Sequence, residues 1–175
     1  MPPLLIVFGG LPGTGKTTIA REVARRQRAT YLRIDTIEQA IREADGLAGD
    51  IGPAGYAAAY ALAEANLRLG QAVVADAVNP LAITRAAWRS AAVAAAAPIL
   101  EVELLCSDQA EHRRRVEGRV VDVPGLVPPG WAAVLAREYE PWPAPHLVID
   151  TATASPDEAV DRVCAAIEAR RYLSS

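Results

Sequence analysis

Residues 4–18 read Leu-Leu-Ile-Val-Phe-Gly-Gly-Leu-Pro-Gly-Thr-Gly-Lys-Thr-Thr, and this stretch decides the fold. The apolar run 4–8 is typical of a central parallel strand that is buried on both faces. Residues 10–17 fit the pattern G-x-x-x-x-G-K-[ST] without a gap, and Ile19 and Val23 begin a helical repeat directly afterwards. A glycine-rich loop between a strand and a helix turns backbone N–H groups toward an anion at the positive end of the helix. The stretch therefore predicts a phosphate-binding loop.

The side chains of this loop predict a nucleotide site with a magnesium ion. The Lys16 ammonium is expected to reach the β- and γ-phosphates of ATP, and the Thr17 hydroxyl is expected to hold Mg²⁺. Thr18 is expected to contact the α-phosphate. The full set predicted for the nucleotide comprises Gly10, Leu11, Pro12, Gly13, Thr14, Gly15, Lys16, Thr17 and Thr18.

Lys16 is the one lysine among 18 basic residues, and the other 17 are arginine. Chance would place a lone lysine at any given basic position about once in eighteen. Arginine is a poor substitute for a compact, flexible ammonium that must reach between phosphates. We therefore expect the loop to need the lysine for its geometry and to use it in catalysis.

Length, composition and charge limit the function classes. A chain of 175 residues, 51% of them hydrophobic, is expected to form a single domain over residues 1–175. No apolar run reaches the roughly 18 to 20 residues of a membrane span, and the start of the chain does not fit a signal peptide. Two cysteines without metal-ligand spacing complete the prediction of a cytoplasmic protein. The net charge of −3 argues against a protein that coats nucleic acid.

Strand and helix patterns alternate along the whole chain, which predicts an α/β fold with a parallel sheet. The predicted strands are 4–8, 31–34, 72–75, 99–105 and 147–149. The predicted helices are 16–28, 36–43, 56–69, 80–97, 108–119, 131–138 and 155–171.

Two classes of phosphate-loop protein are excluded by missing residues. A GTPase needs an Asn-Lys-x-Asp guanine reader, and the chain has no lysine besides Lys16. A motor ATPase of the AAA type needs an apolar strand that ends in Asp-Glu and a further helical domain. Here the third predicted strand ends in Asp76 and Ala77, and the chain is too short for that domain. A compact enzyme that transfers a phosphoryl group to a small acceptor remains.

Asp35 follows the second predicted strand, at the sheet edge where open α/β sheets bind their ligands. Its carboxylate is a candidate general base that accepts the proton of an attacking hydroxyl. The alternative is that Asp35 only caps the helix 36–43. Arg33, two residues earlier, projects to the same side of the strand and is a candidate substrate contact.

A second polar group follows the third predicted strand. Asp76 is a candidate Mg²⁺ ligand through water, and it faces the substrate as well. Asn79 either contacts the substrate or caps the helix that Pro80 begins. Arg85 on that helix is a further candidate substrate contact.

The charged run at 111–119, Glu-His-Arg-Arg-Arg-Val-Glu-Gly-Arg, predicts a helix that begins a lid. Arg115 and Arg119 lie four residues apart on one face, and a proline-rich segment extends the lid to about residue 145. Arginines that close over the phosphates stabilise charge on the transferred group and exclude water. The alternative is a solvated helix whose arginines pair with its own glutamates. His112 is expected at the surface.

The acceptor pocket is expected to have aromatic walls. Tyr56 and Tyr60 lie one helical turn apart and share a face, and the segment 131–142 adds two tryptophans and a tyrosine. With the irregular stretch 45–55, these rings would suit an acceptor with a planar part better than a simple polyol such as gluconate. The alternative is that the rings of the segment form a small core of the lid.

Taken together, these residues resemble the small P-loop kinases of the nucleoside-monophosphate-kinase-like group. The motifs that carry the resemblance are residues 10–18, Arg-Ile-Asp at 33–35, Val-Val-Ala-Asp-Ala-Val-Asn-Pro at 73–80 with Arg85 after it, and the run at 111–119. The layout is most similar to chloramphenicol phosphotransferase, zeta-toxin and the 5′-hydroxyl kinase domain of polynucleotide kinases.

The resemblance implies a P-loop NTPase fold, a three-layer sandwich whose five-stranded parallel sheet has the order 2-3-1-4-5, with a helical lid. It also implies ATP with Mg²⁺, Asp35 as the catalytic base, and Arg115 and Arg119 near the phosphates. The acceptor would be a hydroxyl group of a small molecule. The chain lacks the basic acceptor groove of the polynucleotide kinases, which argues against DNA or RNA as the substrate.

Two other functions stay open from the sequence. One is a 5′-hydroxyl polynucleotide kinase or a sugar-nucleotide kinase of the same fold. The other is a non-catalytic ATP-binding switch that controls a partner. The pair Arg33 and Asp35 favours a site for an acceptor over a switch. We expect a monomer or a homodimer.

Overall fold

The computed structural model describes residues 2–45, 51–142 and 145–173. Its strands are β1 (Leu5–Gly9), β2 (Thr30–Arg33), β3 (Val73–Asp76), β4 (Ile99–Leu105) and β5 (Leu147–Asp150). Its helices are α1 (Lys16–Gln27), α2 (Ile34–Asp45), α3 (Ala54–Arg68), α4 (Ala82–Ala94), α5 (Gln109–Glu117), α6 (Trp131–Leu135) and α7 (Pro156–Leu173). The strands form one parallel sheet in the order β2-β3-β1-β4-β5. The predicted fold and strand order are confirmed.

Helices cover both faces of this sheet, because every residue of β1 and β3 is buried and needs apolar neighbours on each side. Successive side chains of β1 point to opposite faces. Ile6 and Phe8 pack with α1 and α7, whereas Leu5 and Val7 pack with α3 and α4. The alternation thus gives each face its own core. None of the helices in the described ranges is long and apolar enough to cross a bilayer.

The register of the sheet brings the carboxyl ends of three strands together. Asp76 pairs with Phe8 of β1 on one side and with Arg33 of β2 on the other. The phosphate loop, which follows β1, therefore lies beside the last residues of β2 and β3. This edge of the sheet holds the polar residues that the sequence predicted for a ligand.

Two predicted helix caps are wrong. Helix α2 begins at Ile34, directly after β2, so Asp35 lies in its first turn and does not precede it. Helix α4 begins at Ala82, with Leu81 in extended conformation as its cap residue. The backbone N–H of Ala82 is bound by the Glu140 carboxylate, so α4 receives its cap from a distant segment and not from Asn79.

Candidate active site

The phosphate loop, residues 10–15, follows a backbone path that depends on glycine. Gly10 and Gly13 have φ angles of 135° and 87°, a region that other residues rarely adopt. A Cβ atom at Gly10 would overlap the Leu104 carbonyl oxygen, and one at Gly13 would lie 2.5 Å from Cγ2 of Val116. The glycine pattern is therefore required both by the turn and by close packing against β4 and α5.

Side-chain donors bind the carbonyl groups of this loop. The Leu11 carbonyl accepts hydrogen bonds from the Thr14 hydroxyl (2.8 Å) and from the Lys16 ammonium (3.0 Å). The Thr14 carbonyl accepts from the Thr151 hydroxyl at 3.1 Å. The first N–H groups of α1 have no partner within the helix, so they stay available to an anion.

His112 of α5 binds a third carbonyl group of the loop. Its Nε2 lies 2.8 Å from the Pro12 carbonyl oxygen, and because a carbonyl only accepts, that nitrogen carries the hydrogen. The ring is buried and packs edge-on against Trp131, with the ring centroids 5.2 Å apart. The expectation that His112 lies at the surface is wrong, because α5 packs directly on the phosphate loop.

Lys16 is buried at the floor of the site, with 8% of its surface exposed. Burial lowers the pKa of its ammonium to about 8, and the nearby carboxylates of Asp76 and Asp35 oppose that effect. At neutral pH the group is therefore mainly charged, as phosphate binding requires.

A cleft of about 610 Å³ opens over the loop. Twelve of the predicted site residues line it: Pro12, Gly13, Gly15, Lys16, Thr17, Thr18, Arg33, Asp35, Tyr56, Asp76, Arg115 and Arg119. Gly10, Leu11 and Thr14 support the loop from behind, through the contacts described above. The sequence motifs that are far apart along the chain thus meet in one cavity.

Asp35 projects into this cleft from the first turn of α2. Its carboxylate lies 3.4 Å from the Arg33 guanidinium and 3.7 Å from the Arg119 guanidinium, and 39% of the side chain is exposed. Two cations on different elements therefore orient the carboxylate, while part of it stays open to a ligand.

Asp122 is a site residue that the sequence analysis missed. Its carboxylate accepts hydrogen bonds from Arg33 (2.8 Å) and from Arg21 (2.6 Å). These two hydrogen bonds lower the pKa of Asp122 to about 2. The segment after α5 is thereby tied to β2 and α1 at the edge of the cleft.

The Arg115 guanidinium forms its hydrogen bonds with other groups of the protein. It donates to Glu111 (2.7 Å), to the Thr151 hydroxyl (2.9 Å) and to the Thr151 carbonyl (3.0 Å). Arg113 and Arg114 are exposed and pair with glutamates of the same helix, as the solvated-helix alternative predicted for them. Arg115 instead holds the turn after β5 against α5.

A second cavity of about 350 Å³ adjoins the first. Gly15, Thr18 and Arg115 line both cavities, and Ala154 and Pro156 close the second one from the side of α7. A ligand with its phosphates on the loop therefore has room to extend in this direction.

Asn79 and Arg85 lie in the core, which corrects the prediction of a substrate contact for both. The fully buried Asn79 amide donates to the Phe8 carbonyl (2.7 Å) and accepts from the Trp88 indole (2.9 Å). Its positive φ of 50° turns the side chain inward, a conformation that asparagine tolerates. Arg85, 1% exposed, donates to the Asn79 carbonyl at 3.0 Å. The polar atoms of these side chains serve to hold α4 on the sheet.

The predicted aromatic walls are also corrected. Tyr60 donates its hydroxyl to the Thr84 carbonyl (3.1 Å) and packs against the α4 tryptophan. Trp142 lies against Arg85 and His146. The rings of the segment 131–142 thus pack within the protein, but not as a small core of the lid, because Trp142 lies against α4 and Tyr139 donates to Glu103 of β4. Tyr56 is the predicted ring that lines the cleft. Residues 46–50 of the irregular stretch lie outside the described residues.

Besides Asp122, four charged residues line the cleft without having been predicted there: Arg21, Glu38, Arg42 and Arg137. Glu38 and Arg42 lie three and seven residues after Asp35, so all three share one face of α2. This spacing in the sequence could have predicted that Glu38 and Arg42 lie beside Asp35. Arg137 follows α6 in a segment without periodicity, and its position carries no comparable signal.

Thr17 and Asp76 fit the oxygen chemistry of a magnesium site. Both line the cleft, and the Tyr31 hydroxyl orients the Asp76 carboxylate by a hydrogen bond of 2.7 Å. Hydroxyl and carboxylate oxygens are the ligands that Mg²⁺ takes, together with water and phosphate. In the parts of the chain that the structure describes, no three His, Cys, Asp or Glu side chains form a metal-binding group. A bound Mg²⁺ would therefore share these two residues with water and nucleotide.

A phosphate loop between β1 and α1 in a parallel sheet of the order 2-3-1-4-5 defines the kinase-like class of P-loop NTPases. The family model described as AAA domain (AAA_33) matches residues 5–128, and the chain belongs to this family. A comparison with curated proteins finds no match.

Solved structures with the same fold cover nearly the whole chain. The APS kinase CysC of Mycobacterium tuberculosis, in complex with AMPPNP and APS, is 22% identical, with a TM-score of 0.69 over 96% of this chain and 99% of that one. A gluconokinase of Sinorhizobium meliloti is 17% identical, with a TM-score of 0.65 over 99% and 98%. Kti12 of Chaetomium thermophilum, in complex with ADP-AlF3, is 22% identical, with a TM-score of 0.69 over 93% and 98%. The predicted resemblance to small P-loop kinases is confirmed at the level of family and fold.

Proposed function

We propose that this protein is a kinase that transfers the γ-phosphate of ATP to a hydroxyl group of a small molecule. The observation that carries the proposal is the partly open Asp35 carboxylate in the same cleft as Lys16 and Thr17. A carboxylate in this place can accept the proton of a hydroxyl that attacks the γ-phosphate. Two similar structures are those of an APS kinase and a gluconokinase, which supports the same reaction class.

The nucleotide would bind across both cavities. The phosphate loop and the N-terminus of α1 would hold the phosphates, with the Lys16 ammonium between the β- and γ-phosphates. The base and ribose would occupy the second cavity, because it shares Gly15, Thr18 and Arg115 with the cleft. Thr17 and, through water, Asp76 would hold Mg²⁺, which neutralises charge on the phosphates when it is bound.

Asp35 would act as the general base. It accepts the proton of the acceptor hydroxyl while the hydroxyl oxygen forms a bond to the γ-phosphorus. The bond from that phosphorus to the bridging oxygen breaks, and ADP leaves with the electron pair. Arg33 orients the Asp35 carboxylate, and Lys16 and Arg119 stabilise the charge on the group in transfer.

The mobile part of the predicted lid, 111–145, would begin near Arg119. Helix α5 is fixed to the phosphate loop by His112 and to the turn after β5 by Arg115. Beyond α5 the segment is held at the cleft by the ion pairs of Asp122 and Arg119. Asp122, Asp35 and Arg119 are partly exposed, whereas Arg33 is buried. Opening of this segment for the acceptor would therefore have to leave Arg33 paired with Asp35, and closure would restore its pair with Asp122.

A transfer screen with γ-labelled ATP tests the proposal. The acceptors are sugars, antibiotics, nucleosides and 5′-hydroxyl oligonucleotides, and the measured quantity is labelled product. We expect transfer to a small hydroxyl compound, lost in Asp35→Asn and kept in the control Glu117→Gln, which changes an exposed carboxylate outside the cleft. ATP hydrolysis that responds only to a protein partner, with no labelled small molecule, would instead identify a switch.

A further inference from the structure

The cleft differs in charge from the rest of the protein. Seven basic and four acidic side chains line it, although the chain as a whole has a net charge of −3. A concave site with an excess of cations concentrates anions. ATP would use the cations of the phosphate loop itself, so a cation elsewhere in the cleft that no protein group binds is a candidate contact for the acceptor.

Arg137 differs from the other cations of the cleft. Arg33 and Arg115 are bound by acidic partners, whereas the guanidinium of Arg137 has no hydrogen bond or ion pair within residues 2–45, 51–142 and 145–173. Its side chain is exposed and lines the cleft. A guanidinium carries five N–H donors and no acceptor, so Arg137 offers all of its donors to a ligand.

The acidic groups that helix α2 contributes to the cleft do not cancel that charge. Asp35 lies 3.7 Å from Arg119, and Glu38 lies 3.6 Å from Arg42. Each of these two carboxylates therefore has an arginine of its own, and the charge of Arg137 remains for the cleft.

Tyr56 supplies a neutral donor to the same space. Its oxygen accepts a hydrogen bond from the Asn79 backbone N–H at 3.3 Å, which leaves the hydroxyl hydrogen for a ligand. Burial raises the pKa of Tyr56 to about 12, although the hydrogen bond from the Asn79 N–H and, more weakly, the positive charge of Arg137 act against this rise. Tyr56 and Arg137 both line the cleft. The hydroxyl therefore stays protonated at neutral pH and can donate.

We infer that the hydroxyl acceptor is a small anion, whose carboxylate, phosphate or sulfate group binds the guanidinium of Arg137 and the hydroxyl of Tyr56. The inference rests on the proposed kinase function and names the class of its substrate. Arginine presents parallel N–H groups that match two oxygens of such an anion, and charged hydrogen bonds are stronger than neutral ones. An acceptor held there can direct its hydroxyl to Asp35, which lines the same cleft.

Matched pairs of acceptors test this inference. Labelled ATP is offered with gluconate or glucitol, with glycerate or glycerol, and with glucose 6-phosphate or glucose. We expect at least one acid to have a kcat/KM at least tenfold above that of its neutral counterpart. Equal or faster transfer to the neutral compounds would overturn the inference, and so would transfer to oligonucleotides alone.

Variants of Arg137 and Tyr56 then test where the anionic group of the acceptor binds. Arg137→Gln is expected to raise the KM of the acid acceptor at least tenfold, with the KM of ATP within twofold of the wild type. Arg137→Lys should recover part of the loss, and Tyr56→Phe should show a smaller rise. Arg113→Gln is the matched control, because Arg113 is exposed, pairs with Glu117 and lies outside the cleft. A rise in the KM of ATP in Arg137→Gln, with that of the acceptor unchanged, would assign Arg137 to the nucleotide and overturn the inference.

A binding measurement separates the inference from the proposed function. Calorimetric titration of the ADP-loaded protein with gluconate, glycerate and sulfate needs no turnover. If no compound is phosphorylated but one of these anions binds, and Arg137→Gln weakens its binding tenfold, the kinase proposal fails and the anion site stands. Absent binding, or equal binding by the wild type and the variant, overturns the anion site.

Discussion

The two walls of the cleft are built in opposite ways. The nucleotide wall is a continuous stretch, residues 10–18, whose carbonyl groups are held by buried side chains such as His112 and Thr151. The acceptor wall is assembled from α2, α3 and the segment after α5, and its cations meet carboxylates at distances up to 3.7 Å. If the proposed function is right, the phosphates meet a wall fixed by buried hydrogen bonds, and the acceptor meets a wall held partly by longer ion pairs.

The largest effect is expected at Lys16, on the nucleotide wall. Lys16→Ala removes the phosphate ligand and should lower kcat/KM for phosphoryl transfer by about 10³-fold, as loss of a donor to a developing charge does. Lys16→Arg should fail nearly as badly, because a planar guanidinium does not fit the space of an ammonium. Both variants should stay folded, which circular dichroism checks. Near-wild-type turnover in Lys16→Arg would contradict the claim that the position needs lysine geometry.

Asp35→Asn removes the carboxylate of the acceptor wall that is proposed to act as the general base. Loss of the general base should lower kcat by about 10²-fold, while the affinity for ATP, measured by fluorescence or calorimetry, stays within twofold. An equal loss of ATP affinity would mean that Asp35 belongs to the nucleotide wall, and the division between the two walls would then be wrong.

His112 tests the rigidity of the nucleotide wall without touching a ligand. His112→Ala leaves the Pro12 carbonyl without its side-chain donor, which should lower the free energy of unfolding by about 1–3 kcal/mol and raise the Kd of ATP by roughly tenfold. The KM of the acceptor should stay unchanged.

His112→Gln is the matched variant, because its amide can donate to the same carbonyl. It should recover most of the ATP affinity. If His112→Ala alters only the stability and leaves the Kd of ATP as in the wild type, the contact merely packs α5 and does not prepare the loop.

The smallest effect is expected at Asp122, which ties the acceptor wall together. Its pKa is lowered in the folded state to about 2, so its contribution to stability is complete above about pH 4 and is lost as the pH falls through 2. Because 42% of the side chain is exposed, the contribution is less than about 1 kcal/mol. Urea unfolding should show Asp122→Asn to be slightly less stable at pH 7 and close to the wild type below pH 2. A difference that persists well below pH 2 would exclude the ion pairs as its cause.

The same contrast explains what the sequence could predict. The nucleotide wall is local: its glycines, lysine and threonines are adjacent in the chain, so their spacing alone predicts a shared ligand. The sheet order followed from a family resemblance that these local motifs made possible. The acceptor wall is not local, since Asp122 meets Arg33 from 89 residues away, and no periodicity in its proline-rich segment indicates that contact.

The stretch 76–85 shows within one short segment where prediction of site residues from the sequence fails. Asp76 ends β3 and faces the cleft, whereas Asn79, three residues later, turns its amide into the core through a left-handed backbone. Both are polar residues after a buried strand, and the sequence gives no means to tell them apart. The backbone angle and the partner on β1 decide which of the two can meet a ligand.

The placement of the single lysine has a practical consequence for chemical labelling. Lys16 carries the one side-chain amine of the chain, and it lies in the cleft with its pKa at about 8. At pH 8 about half of these amines are uncharged and nucleophilic, whereas arginine side chains remain protonated and inert toward acylating reagents. Apart from the chain's amino terminus, a general amine reagent therefore has a single target. Protection of the peptide that contains Lys16, followed by mass spectrometry, would report whether the site is filled.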